Sequence, residues 1–153
     1  MRLVVQRVRQ ASVHVDGKNV AAIGTGLLVL VGFGAEDARS QVWSSIEATL
    51  RKLPLLRIFP DNDKHMNTCL ADVSGEILLV SQFTLYADCG KGRRPSFHLA
   101  CPPQEAAVLY DKVCAAMCSI LPGKVQSGIF AAAMDVSLIN WGPVTLILDS
   151  NDK

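Results

Sequence analysis

Ile77-Leu78-Leu79-Val80-Ser81-Gln82-Phe83-Thr84-Leu85 carries four apolar residues without a break and then turns abruptly polar. A short continuous apolar run reads as a strand buried on both faces, so Glu76 to Gln82 is expected to cross the core and emerge at its end. The residues at that exit, Ser81, Gln82 and Thr84, are two hydroxyls and an amide. They form a site-like cluster, although hydroxyl residues at strand ends also serve simply to cap backbone groups. A second segment has the same weight: Asn140-Trp141-Gly142-Pro143-Val144-Thr145, read as a tight turn between two late strands. Proline fixes its own φ, lacks an N–H and admits a cis bond far more readily than other residues, so such a turn can display bare carbonyl oxygens.

Working outward, Arg2 to Val8 and Ser12 to Asp16 read as short strands, Asp16-Gly17 as a hairpin turn, and Val20 to Ile23 and Leu27 to Gly34 as the strands that complete an antiparallel start. A helix follows, with Asp37 or Ser40 as its cap and Val42, Ile46, Leu50 and Leu53 as its apolar stripe before Pro54. Leu55 to Phe59 is expected as a strand and Pro60 to Asn67 as a polar loop. Pro102 and Pro103 suit the first turn of a second helix, whose buried face is Ala106, Leu109, Tyr110, Val113 and Met117 and which ends at Pro122-Gly123. Strands return at Lys124 to Phe130, Met134 to Ile139 and Val144 to Leu148. No linker, repeat or low-complexity tract interrupts residues 1–153, which predicts a single α/β domain, mostly sheet, with two main helices.

At 153 residues the chain is large enough for a real core, and its 50% hydrophobic and 19% charged content argues against disorder. That apolar balance also suggests that a partner covers part of the surface, so an oligomer is expected. No apolar run approaches the roughly 18–20 residues of a membrane helix, and Met1 to Arg7 lacks the features of a signal peptide, so a cytoplasmic location is expected. The five cysteines, Cys69, Cys89, Cys101, Cys114 and Cys118, are odd in number and hold no Cys-x-x-Cys pair, which argues against a disulfide framework. Cys114 and Cys118 could share a metal with His98 or Cys101, but cysteine is also a common small core residue; no metal and no cofactor are expected. The formal net charge is only +1, yet Lys91, Arg93 and Arg94 crowd one glycine-containing loop just after the Ser81 segment. Such a cluster is either a solvated face or a phosphate contact.

A serine hydrolase needs a hydroxyl, a histidine base and an acid to orient it. Here His14 lies in a strand, His65 in a polar loop, and only His98 follows the candidate site; the Gly-x-Ser-x-Gly elbow is absent. A conventional triad is therefore disfavoured.

Taken together, Val5-Gln6-Arg7-Val8, Ala11-Ser12-Val13, Gly26-Leu27-Leu28-Val29, Leu56-Arg57-Ile58-Phe59, Ser81 to Asp88, Lys91 to Phe97 and Gly142 to Thr145 resemble the D-aminoacyl-tRNA deacylases of the Gly-cisPro type, in order and over nearly the whole length. The resemblance implies a mixed, mostly antiparallel, barrel-like sheet and hydrolysis of the ester joining a D-amino acid to the terminal adenosine of tRNA, with removal of glycine as well. It also implies a homodimer with sites at its interface, where one subunit supplies Ser81, Gln82, Phe83 and Thr84 and its partner inserts Gly142 and Pro143. By the same resemblance Arg7 braces the Gly-Pro turn, and Phe130 and Met134 line the adenosine and aminoacyl pocket. Plainer readings stand beside these: Phe130 and Met134 as sheet core, Arg7 as a strand-surface cation. Backbone N–H groups around Gln82 and Phe83 are the expected oxyanion donors, Thr84 is either a nucleophile or, as the favoured reading, a positioning hydroxyl, and Lys91, Arg93 and Arg94 are the expected tRNA contacts. Two residues depart from the family's usual pattern: Trp141 stands where an Asp is usual, and Ala131 where a Gly is usual. The competing expectation from another class is a non-catalytic nucleic-acid-binding homodimer of the same fold.

Overall fold

The computed structural model describes residues 1–152, and of Ser40 the backbone only. Its strands are β1 (Arg2–Val15), β2 (Lys18–Ile23), β3 (Gly26–Gly32), β4 (Phe59–Pro60), β5 (Met66–Thr68), β6 (Glu76–Ser81), β7 (Val125–Ser127) and β8 (Asp135–Asp149), with helices α1 (Trp43–Lys52) and α2 (Pro103–Ile120). The main sheet runs β2-β1-β3-β6-β7, with β8 on β1, and is mostly antiparallel and barrel-like. Only the β3–β6 and β6–β7 pairs are parallel among the described strands. Parallel neighbours need long crossovers, and these hold α1 and α2.

β1 organises the sheet. Residues 2–8 pair with β3, residues 11–15 pair with β2, and the other edge carries β8 from one end to the other. The expected break between Arg2–Val8 and Ser12–Asp16 is therefore no gap: the polar residues Arg9 and Gln10 lie within one strand, at irregularities in its pairing with β8. The irregularity shifts which residues face inward. Leu3 and Val5 belong to the core beneath the helices, with Leu27, Val29, Val31, Ile46, Leu50, Tyr110 and Met117. Val8, Ala11 and Val13 belong to a second core inside the curl of the sheet, with Ala21, Ile23, Leu28, Leu78 and Val80. β3 and β6 are buried on both faces because each separates the two cores, which is why their sequences read as unbroken apolar runs.

The hairpin at Asp16-Gly17 has positive φ at both residues (50° and 73°), as a primed two-residue turn requires. The stripes on both helices are buried as expected at Ile46, Leu50 and Leu53 and at Ala106, Tyr110, Val113 and Met117. Val42 and Leu109 are half-buried.

Several boundaries differ from the expectation. Asp37 does not cap α1, which starts at Trp43; its buried carboxylate instead accepts from the Met1 ammonium (2.5 Å) and the Gly34 N–H (2.7 Å). The side chain of Ser40, the other expected cap, lies outside the described residues. Leu53–Leu55 is a 3-10 turn rather than the start of a strand, since Pro54 favours the first turn of a helix, and only Phe59–Pro60 pairs, with Met66–Thr68 from the expected polar loop. The strand expected from Lys124 to Phe130 pairs only over Val125–Ser127; the Gly128 N–H donates to the Leu79 carbonyl (2.9 Å), and the chain then turns through Ala131 at φ 61°. Finally, Gly142-Pro143 is not a hairpin turn. Residues on both sides of it belong to β8 and both pair with β1.

The β3–β6 contact leaves no room at Gly26, where a Cβ would stand 1.9 Å from the Glu76 carbonyl oxygen. Gly26→Ala is expected to lower stability by about 3 kcal/mol or more, because backbone rather than a mobile side chain must move. Gly24→Ala, whose methyl meets nothing nearer than 3.7 Å, serves as the control and is expected to change stability by less than about 1 kcal/mol. Urea unfolding of the two variants checks the contrast.

Candidate functional site

β6 leaves the core at Ser81 and the chain turns at once into a 3-10 turn, Phe83–Tyr86. A cleft of about 430 Å³ opens there. Ser81, Gln82 and Phe83 form one wall, Cys101, Pro103 and Ala106 another, and Phe130, Ala131, Met134 and Val136 are among the other lining residues. Phe130 and Met134 are thus cleft-lining side chains that also touch the cores. Thr84 stands at the rim: it is exposed and accepts a short hydrogen bond from the Gln82 amide, which joins the two polar groups into one unit.

Three neighbours hold this wall. The Tyr110 hydroxyl donates to the Leu79 carbonyl (2.9 Å), tying α2 to the strand just before Ser81. The Arg2 guanidinium donates to the Leu85 carbonyl (3.1 Å) and lies over the Tyr86 ring, 5.0 Å from its centroid. The Tyr86 hydroxyl, in turn, faces Asp37 at 3.5 Å. Burial pushes both phenols well above their ordinary range, so each keeps its proton and remains a donor. None of these contacts is legible from local sequence, because each joins residues far apart in the chain.

One expected role changes. The Gln82 N–H donates to the Val31 carbonyl (2.7 Å) and is not free to receive an oxyanion. The Phe83 N–H opens a 3-10 turn, whose first N–H groups have no carbonyl partner within the turn, and it remains as the backbone donor of this wall.

Gly142 and Pro143 are exposed, joined by a cis bond, and stand outside the cleft of their own chain. Opposite them, Gln6 pairs with Thr145 and Val8 with Asn140, so the intervening residues of β8 leave the ladder. Asn140 closes the neck of this excursion: its Oδ1 accepts from the Val144 N–H (2.8 Å) and its Nδ2 donates to Thr145 Oγ1 (3.0 Å). Arg7 holds the tip. It is only 6% exposed, and its guanidinium donates to the carbonyls of Trp141 (2.6 Å, from Nε) and Ile58, so it is no surface cation. Burial and nearby Arg9 lower its pKa, yet the carbonyl partners suit a guanidinium that stays charged.

The basic residues Lys91, Arg93 and Arg94 sit in an exposed loop closed by the paired backbones of Asp88 and Ser96. None of the three forms an ion pair with a described residue. Ser96 Oγ meets His98 Nδ1 at 3.0 Å, but both are exposed and no carboxylate among the described residues orients the ring, so no triad is assembled there. Among the described residues, no three His, Cys, Asp or Glu side chains gather as a metal-sized group. Cys114, one of the thiols considered for a metal, is pushed up to about 11 by burial and stays a thiol.

With this geometry, the family model for D-Tyr-tRNA(Tyr) deacylase matches residues 4–149. The chain belongs to the D-aminoacyl-tRNA deacylase family. It is 60% identical over 153 residues to a D-aminoacyl-tRNA deacylase of Solidesulfovibrio magneticus, covering 99% of this chain and 97% of that one. It is 58% identical to a D-aminoacyl-tRNA deacylase of Nitratidesulfovibrio vulgaris strain DP4, covering 97% and 93%. Among solved structures it is similar to one described as c-Myc DNA unwinding element binding protein, at 40% identity and a TM-score of 0.89 over 99% of this chain and 100% of that one.

Asn140 is the residue of this deacylase that motif reading passed over as mere turn. Asn140→Ala leaves the Val144 N–H without its partner and is expected to cost about 1–2 kcal/mol in urea unfolding. Asn140→Asp keeps the acceptor and should recover most of that loss. Equal effects of the two would show that the neck is not held by this hydrogen bond.

Proposed function

We propose that this chain, a D-aminoacyl-tRNA deacylase by family, proofreads chirality with sites that two copies build together, and that it also removes glycine from tRNA. What supports this reading is one observation: the cleft beside Ser81–Phe83 and the Gly142–Pro143 excursion both belong to the chain, yet the excursion stands exposed outside that cleft. A second copy offering its excursion to the cleft would complete the site. Residues 1–153 then act as one catalytic domain in a homodimer, working in the cytoplasm where aminoacyl-tRNA is made and used; no described helix is long and apolar enough to cross a membrane.

The chemistry follows from these groups. An aminoacyl ester is already activated, so the main demand is charge stabilisation at the carbonyl oxygen. The Phe83 N–H would supply it, at roughly 3 kcal/mol for a well-placed donor. Gln82 and Thr84, joined by their hydrogen bond, position water or the terminal ribose, and Phe130 and Met134 form the apolar wall for the adenosine and aminoacyl ends. The carbonyls around the partner's Gly142 accept the α-ammonium group of the substrate, and the same wall leaves no room for a side chain of L configuration. Glycine has no side chain to exclude and passes. Because the filter is backbone, it is indifferent to which D side chain projects away from it.

A shared site has a complementation signature. Thr84→Ala impairs the cleft, and Gly142→Ala impairs the excursion, since a Cβ there meets Arg7 Nη2 at 2.5 Å on a residue with φ 139°. Refolded together in equal amounts, the two weak variants should regain about a quarter of the parent's deacylation, because half the dimers are mixed and each mixed dimer has one intact site. A mixture no more active than its components sinks the shared site.

The loop of Lys91, Arg93 and Arg94 is assigned to tRNA phosphates. Replacing all three with Ala should weaken tRNA binding and reduce the slope of log K against log salt by about 2–3, at roughly 0.7–0.9 per lost phosphate contact. Turnover at saturating substrate should persist. An unchanged slope would return the loop to a solvated face. The name of the solved relative concerns DNA binding, which favours a second reading as a nucleic-acid-binding dimer without hydrolysis; incubation with D- and L-aminoacyl-tRNA separates the two.

A further inference from the structure

We propose that Trp141 and Arg9 are positioning residues that set the chiral selectivity of this chain by clamping the tip of the Gly142–Pro143 excursion. The inference rests on the assignment of that excursion as the chiral filter.

Gly142 has no side chain, and Pro143 is exposed and lacks an N–H, so neither residue has strong handles of its own. The direction of their carbonyls is set by what holds the residues on either side, Trp141 before them and Val144 after. Trp141 is held at two points. Its carbonyl takes the Arg7 Nε–H at 2.6 Å, and its ring is held by three neighbours. The Arg9 guanidinium lies 4.1 Å from the ring centroid, that of Arg7 lies 5.0 Å away, and Phe59 meets the ring edge-on at 6.3 Å.

The charge balance makes the ring more than packing. Arg7 and Arg9 are like charges close enough that Arg9 helps to lower the pKa of Arg7. Neither forms an ion pair with a described carboxylate. The electron-rich indole face is therefore the group that offsets the exposed Arg9 beside the buried Arg7. An Asp at this position would hold the same cations by charge alone. The indole does so with a broad, flat surface that also packs on Phe59. That surface is attached through Cβ to the Cα of Trp141, whose own carbonyl leads into Gly142, so displacing the ring shifts the backbone that enters the filter.

The test measures kcat/KM for matched D- and L-aminoacyl-tRNA. Global destabilisation lowers both rates together and leaves their ratio unchanged, whereas a displaced filter changes the ratio. Trp141→Ala should lower the D-over-L ratio about tenfold and Arg9→Gln about threefold, with Trp141→Phe, which keeps an aromatic face, within about twofold of the parent. In the double variant Arg9→Gln should add nothing to Trp141→Ala, because the cation acts through the ring. Arg9 is exposed, so its variant folds even if Trp141→Ala does not. Ratios within about twofold of the parent for Arg9→Gln and Trp141→Ala, or effects that multiply in the double variant, overturn the clamp. A parent chain with no preference for the D substrate overturns the functional reading and the clamp with it. A selective parent with indifferent variants overturns the clamp alone.

Discussion

The buried guanidinium of Arg7 is the contact on which the arrangement turns. β1 must serve two cores, with Leu3 and Val5 in one and Val8, Ala11 and Val13 in the other. Arg7 is buried along this strand with no carboxylate partner among the described residues. Its donors instead satisfy the carbonyls of Trp141 and Ile58, one on the last strand and one just before the β4–β5 ribbon. A single side chain thereby joins three separate parts of the chain at the point where the ladder is interrupted. Without it, buried carbonyls would be left unpaired, at roughly 1–3 kcal/mol each.

The two functional regions are built on opposite principles. The wall at Ser81–Phe83 belongs to a strand buried on both faces and is held from behind by Tyr110 and Arg2, so its geometry is inherited from the core. The excursion at Gly142 is exposed at its tip and meets the core through its flanks, where half-buried Trp141 and Val144 pack. Its shape comes from local polar closure by Asn140 and from cations gathered around one ring. A rigid floor in one place and a self-supporting loop in another suit a site that must be firm yet approachable.

Much of this was legible in residue order. The unbroken run Ile77–Val80 gave a strand between two cores, the helical stripes gave the buried faces of α1 and α2, and Asp16-Gly17 gave the hairpin. Ser81, Gln82 and Phe83 were correctly placed at the end of β6, and Phe130 and Met134 are found together on the cleft that Gln82 and Phe83 also line. What local pattern could not show was pairing. Arg9-Gln10 looks like a break because two polar residues interrupt an alternation, yet the strand continues through it. Gly142-Pro143 looks like a hairpin because those residues make turns, yet both flanks pair with the same distant neighbour. The burial of Arg7 and the engagement of the Gln82 N–H depend on contacts many residues away, and no period or motif encodes them.

The pairing of β1 with β8 sets Arg2 against Asp149 and His14 against Asp135. β1 is thus left with one edge open until β8, far along the chain, has emerged. Helices and the β3–β6 pair can form meanwhile, but the edge of β1 carries unpaired N–H and C=O groups throughout synthesis, and such edges recruit other chains. Closing a contact across nearly the whole sequence is also slow compared with forming local structure. Completion of the sheet, and with it the presentation of Gly142 and Pro143, therefore waits on the synthesis of β8: the excursion takes shape only once the strands it leans on are already in place.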